Sequence, residues 1–138
     1  MKSKPMVNVI FAIVMLAGGT FNSFAQAGEA DVVGVSVTRD SQNTYRFSVM
    51  VAHDDSGWDH YADAWQVIGP DGAILGQRIL AHPHENEQPF TRSLSGVEIP
   101  SNIEESVTIR ARDLVHGFGG AEMVVRLPGV VGDTVKQP

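Results

Sequence analysis

Tyr45, Phe47, Val49 and Val51 alternate one for one with Arg46, Ser48 and Met50, and a period of two is the signature of a half-buried β-strand. Runs of similar length recur beyond residue 27, bounded by glycine, proline, asparagine or aspartate. None sustains the 3.6-residue apolar period of a helix. The chain is therefore expected to be all-β, with strands over about 32–38, 44–53, 62–68, 73–82, 91–99, 106–113 and 121–127. Between the third and fourth, Gly69-Pro70-Asp71-Gly72 is a tight turn, because proline presets φ and glycine accepts a positive one.

Seven short strands with Trp65 on the third predict a seven-stranded immunoglobulin- or fibronectin-III-like sandwich over residues 28–128, followed by a flexible C-terminal tail over 129–138. Ahead of it, residues 1–27 read as a signal peptide. Lys2 and Lys4 precede an apolar stretch from Val7 to Ala17, and Ala25-Gln26-Ala27 offers the small side chains that a signal peptidase accepts, placing the cut before Gly28. The apolar stretch falls short of the ~20 residues that span a bilayer. A periplasmic or secreted domain, free of the membrane after cleavage, is the expectation.

The 138 residues contain no cysteine, so packing or a bound ligand must supply the stability that disulfides often give a small exported domain. Thiolate chemistry is excluded as well. The leader takes two of the ten basic residues and none of the sixteen acidic ones. The remaining negative charge disfavours nucleic acid and anionic lipid and suits a cation or a basic protein surface.

In a sandwich of this connectivity the second–third, fourth–fifth and sixth–seventh strand loops gather at one end. All five histidines fall there: His53 closing the second strand, His60 in the loop after it, His82 and His84 after the fourth strand, and His116 after the sixth. Imidazole is the commonest protein ligand for zinc and copper. His82-Pro83-His84 places two rings at i and i+2, on one side of an extended, proline-stiffened backbone. These five are the candidate metal ligands, one more than a tetrahedral ion uses. Asp54, Asp55, Asp59, Asp63, Asp113, Glu85 and Glu87 lie in or beside the same loops and can complete a coordination shell or hold the far nitrogen of a ligating ring; Asp59, Asp63, Glu87 and Asp113 are singled out for the second role, Asp63 and Asp113 because they share parity with the inward faces of their strands.

Trp58 and Tyr61 flank His60 and suit either recognition or packing over the sandwich end. Arg110 and Arg112 have outward parity and read as a solvated face. No nucleophile stands beside a base at recognisable spacing, which ranks catalysis below binding.

The runs Gly57-Trp58-Asp59-His60-Tyr61-Ala62-Asp63-x-Trp65, His82-Pro83-His84-x-x-Glu87-Gln88-Pro89-Phe90-Thr91-Arg92-Ser93-Leu94 and Asp113-x-x-His116-Gly117-x-Gly119-Gly120 resemble an uncharacterised family of small exported bacterial proteins, a resemblance that implies no activity. At the level of fold the chain is similar to immunoglobulin-like periplasmic copper carriers. Several of those chelate copper through an N-terminal histidine; Gly28 at the expected mature terminus rules out that arrangement here. The expected function is metal carriage or homeostasis with copper or zinc. A second expectation, from a different class, is a module that grips another exported protein through the same loops.

Overall fold

The burial of the second strand follows its sequence: Tyr45, Phe47, Val49 and Val51 are buried, and Arg46 and Met50 are exposed. The computed structural model describes residues 28–103 and 105–138, together with Ser3; the expected leader otherwise lies outside the described residues. The strands are β1 (Asp31–Arg39), β2 (Thr44–Ala52), β3 (Ala62–Ile68), β4 (Ile74–Ile79), β5 (Phe90–Glu98), β6 (Ser106–Asp113), β7 (Gly117–Phe118), β8 (Met123–Arg126) and β9 (Thr134–Gln137).

They form two antiparallel sheets, one ordered β5-β2-β1-β9 and the other β4-β3-β6-β7, with β8 also on β6. The expected all-β sandwich is thus present. Its inner faces meet in a core of Val35, Val37, Phe47, Val49, Val51, Trp65, Val67, Val107, Ile109 and Val125, with Trp65 fully buried. Burying each of these side chains contributes about 1.5–3 kcal/mol.

Among the described residues nine strands stand where seven were expected, and both additions have local causes. The seventh expected strand is present as β8, shortened to Met123–Arg126, and the first addition is β7, two residues of the glycine-rich stretch ahead of it; the two pair with successive stretches of β6. The chain between them leaves the β6 edge to meet the start of β1: the Val32 N–H donates to the Ala121 carbonyl at 2.8 Å, and the Ala121 N–H donates to Asp31 Oδ1 at 2.7 Å. Gly119 and Gly120 make this crossing possible. A Cβ at Gly119 would press on the Glu29 carboxylate, and one at Gly120 would collide with the Ala30 carbonyl. The second addition is at the C-terminus, where the expected loose tail instead supplies β9, pairing Thr134–Gln137 with β1 and covering an open sheet edge.

The inward registers of β2 and β6 run past their last apolar residues. In β6 the buried series Val107, Ile109, Ala111 ends on Asp113, and in β2 the series Phe47, Val49, Val51 continues to His53 just beyond the strand. A carboxylate and an imidazole therefore occupy core positions at the same end of the sandwich.

Candidate metal centre

Asp113 is 1% exposed, a costly place for a carboxylate unless it is paired and hydrogen-bonded. Its Oδ1 is fully engaged. It accepts the backbone N–H groups of Val115 and His116 at 2.8 Å, and Nδ1 of His116 and Nε2 of His60 each lie 3.1 Å away. Its Oδ2 is buried without a hydrogen-bond partner, with the His53 Nε2 atom 4.0 Å away. Burial raises the Asp113 pKa, but the backbone N–H groups of His116 and Val115 and the His116 ring outweigh it, holding the carboxyl below the ordinary aspartate value.

His53 is 5% exposed. Its Nδ1 faces Asp55 Oδ1 at 2.5 Å and its Nε2 faces the Gly28 carbonyl oxygen at 2.8 Å. A neutral ring has one N–H and one lone pair. Both of its nitrogens face oxygen atoms, so a neutral ring cannot donate to both. His60 Nε2 lies 3.1 Å from the same carbonyl. Its ring stands 4.8 Å from that of His53 and 5.0 Å from that of His116.

One donor atom from each of His53, His60 and Asp113 falls in a group mutually within 4.8 Å. Donors about 2.1 Å from a shared ion lie roughly 3 Å apart at a right angle and about 4.2 Å apart in line, so small side-chain adjustments fit this group to one ion. The orphaned Asp113 Oδ2 is the atom such an ion would satisfy.

Asp55 joins this cluster to the second histidine pair. Beyond its bond to His53, Oδ1 accepts the Ala62 N–H at 3.0 Å, and Oδ2 accepts the His84 N–H at 2.7 Å. Gln88 crosses the same gap, accepting the His53 N–H and donating to the His84 carbonyl. A carboxylate on the far nitrogen of an imidazole fixes its tautomer and raises its basicity as a ligand. Asp55 is thus the residue in that role for His53, one of the seven loop acids considered for it though not among the four singled out.

Sequence reasoning placed all five histidines at one end of the sandwich, and the structure divides them there. His53, His60 and His116 surround Asp113. His82 and His84 form a separate pair with ring centroids 4.6 Å apart, outside the Asp113 group. His82 is exposed, with Nδ1 3.1 Å from the Pro83 carbonyl, whereas His84 is buried and stacks on Phe90 at 4.0 Å and 8°. Neither His84 ring nitrogen has a hydrogen-bond partner, and Nδ1 lies 3.8 Å from Asp55 Oδ2.

The expected acids fare differently. Asp113 sits inside the cluster as a ligand candidate in its own right. Asp63 bonds Arg112 at 3.0 Å; the register shift between Ala62 and Ala64 makes it the extra residue of a β-bulge and breaks its inward parity. Glu87 pairs with Arg92 at 3.4 Å, and Asp59 is exposed. As expected, Arg110 lies on the outer face, bonded to Gln66 and placed 4.2 Å from the Phe118 ring centre.

The His84 environment carries a pH prediction. Burial first, then the charges of Arg92 and His82, hold its pKa below the ordinary histidine value. The unfolded chain then takes up the proton more readily than the folded one. The resulting stability is complete above about pH 6.5 and is lost as pH falls toward the lower folded value. Urea midpoints measured from pH 7 to pH 5 should decline, and His84→Phe, which keeps the stack but cannot bind a proton, should flatten that decline. Equal slopes in the two proteins would rule this out.

Over 97 residues the chain is 44% identical to a protein of Halomicrobium mukohataei described as "Putative lipoprotein", a match covering 70% of this chain and 47% of that protein. The chain thus spans about half the length of the curated relative it matches. No family model matches the chain, and no solved structure matches it.

Proposed function

We propose that this chain is an exported metal-binding protein that holds one zinc or copper ion through His53 Nε2, His60 Nε2 and Asp113, for carriage or homeostasis of the metal outside the cytoplasm. The observation that supports it most is the buried Asp113 Oδ2, without a hydrogen-bond partner and 4.0 Å from His53 Nε2. Imidazole and carboxylate without thiolate suit Zn(II) and Cu(II). Export is supported by the lipoprotein description of the relative and by the leader-like residues 1–27.

Titration of the chain from Gly28 onward with Zn(II), Cu(II) and Cu(I) tests the reading. One equivalent of Zn(II) or Cu(II) should bind, and a His53→Ala/His60→Ala variant should lose that binding. Affinity no greater than the variant's for every ion would end the proposal. A second reading, a module that docks another exported protein, is favoured by Trp58, 67% exposed and edge-on to Tyr61 at 5.8 Å. Partner capture that persists in chelator and in the double variant would support it instead.

A further inference from the structure

The strangest member of the cluster is a backbone atom. The Gly28 carbonyl oxygen lies 2.8 Å from His53 Nε2 and 3.1 Å from His60 Nε2, the spacing expected for neighbouring donors on one ion. Several features built into the fold hold it there. Gly119 and Gly120 give room for Glu29 and Ala30 to pass, and the bonds between Val32, Asp31 and Ala121 fix the start of β1. At Gly28 itself φ is +111°, and a Cβ would come within 2.8 Å of the His116 ring. In the uncleaved chain both features require glycine, and after cleavage the close approach to His116 still does.

Gly28 is also the residue that signal cleavage would make the first of the chain. We propose that cleavage before Gly28 completes the metal centre: the freed α-amine and the carbonyl oxygen of Gly28 chelate the ion held by His53, His60 and Asp113, so the protein takes up metal tightly only after processing. This inference rests on the metal-binding reading above and on the expected cleavage position.

The chemistry is balanced by water alone. Signal peptidase hydrolysis adds water across the Ala27–Gly28 peptide, leaving a carboxylate on Ala27 and an ammonium on Gly28. Coordination then releases one ammonium proton to solvent. A free α-amine has a pKa of about 7.7–8.0, so an ion at the site displaces that proton readily near neutral pH. The amine and the carbonyl oxygen of one glycine close a five-membered ring on a metal. In the precursor the same nitrogen is a peptide amide, a poor donor until it is deprotonated. Loading is thereby placed after export.

The test compares two forms that both contain every described strand: the chain beginning at Gly28 and the chain beginning one residue earlier, at Ala27. Circular dichroism and thermal melting establish that both fold. Zn(II) and Cu(II) affinities are measured by competition with a chelator, and acetylation of the α-amine is followed by mass spectrometry with and without metal. The Gly28 form should bind about 10- to 100-fold more tightly, the range by which removal of a supporting group weakens metal sites. Bound metal should protect its amine from acetylation. Equal affinities with an unprotected amine would overturn the inference and leave the metal site standing. If neither form binds better than His53→Ala/His60→Ala, the metal reading itself fails. A processed protein whose first residue is not Gly28 would also overturn the inference.

Discussion

Asp113→Asn should lower the affinity for Zn(II) and Cu(II) by about a hundredfold or more while leaving the metal-free protein folded. The asparagine carbonyl can still accept the Val115 and His116 N–H groups that Oδ1 accepts in the parent, so the turn after β6 keeps its backbone bonds. What changes is the other arm. An amide nitrogen replaces Oδ2, the atom that faces His53 Nε2 and has no hydrogen-bond partner. It brings N–H groups and no negative charge to the position where a cation would sit. Losing a direct ligand should cost at least the 10- to 100-fold that outer supporting groups cost, and the loss of charge adds to it in a site shielded from solvent. Competition titration and a thermal melt on the same samples check both halves. An Asn variant that binds zinc or copper as tightly as the parent would remove Asp113 from the ligand set.

That Asp113 and His53 meet is legible in the sequence, because both follow from counting by twos. Positions 45, 47, 49, 51 and 53 share one face of β2, and 107, 109, 111 and 113 share one face of β6, so the last member of each series must enter the core end of the sandwich. Parity fails where the ladder is irregular. Asp63 counts as inward from Trp65, but the bulge between Ala62 and Ala64 turns it out to Arg112, and nothing in the local sequence announces that extra residue. The division of the histidines is hidden for another reason. His82 and His84 are set by how the loop after β4 packs, with one ring stacked on Phe90 and the other exposed, and loop packing has no period to read.

The Gly28 carbonyl is beyond any reading of side-chain types, since the atom that matters is common to every residue. Its one trace in the sequence is Gly119-Gly120, a pair whose missing side chains make room for the N-terminal segment. The same crossing separates β7 from β8. A glycine pair that reads as a loose loop is therefore a passage through which the start of the chain reaches the histidines.

Asp55→Ala should be the most damaging single change at this end of the molecule, destabilising the fold by about 3–5 kcal/mol. The carboxylate is buried and serves three donors from three parts of the chain: the His53 ring, the Ala62 N–H where β3 begins, and the His84 N–H in the loop before β5. Alanine leaves all three facing a void, and each buried group stripped of a partner costs about 1–3 kcal/mol. For a domain of roughly this size such a loss lowers the melting temperature by more than about 10 °C. Asp55→Asn, which keeps one acceptor but points an N–H at a donor, should fall between parent and Ala. In whatever fraction stays folded, the freed His53 ring should bind metal about 10- to 100-fold more weakly. A melting temperature within about 3 °C of the parent would mean that the two histidine groups are positioned independently, and that Asp55 does not tie the loops together.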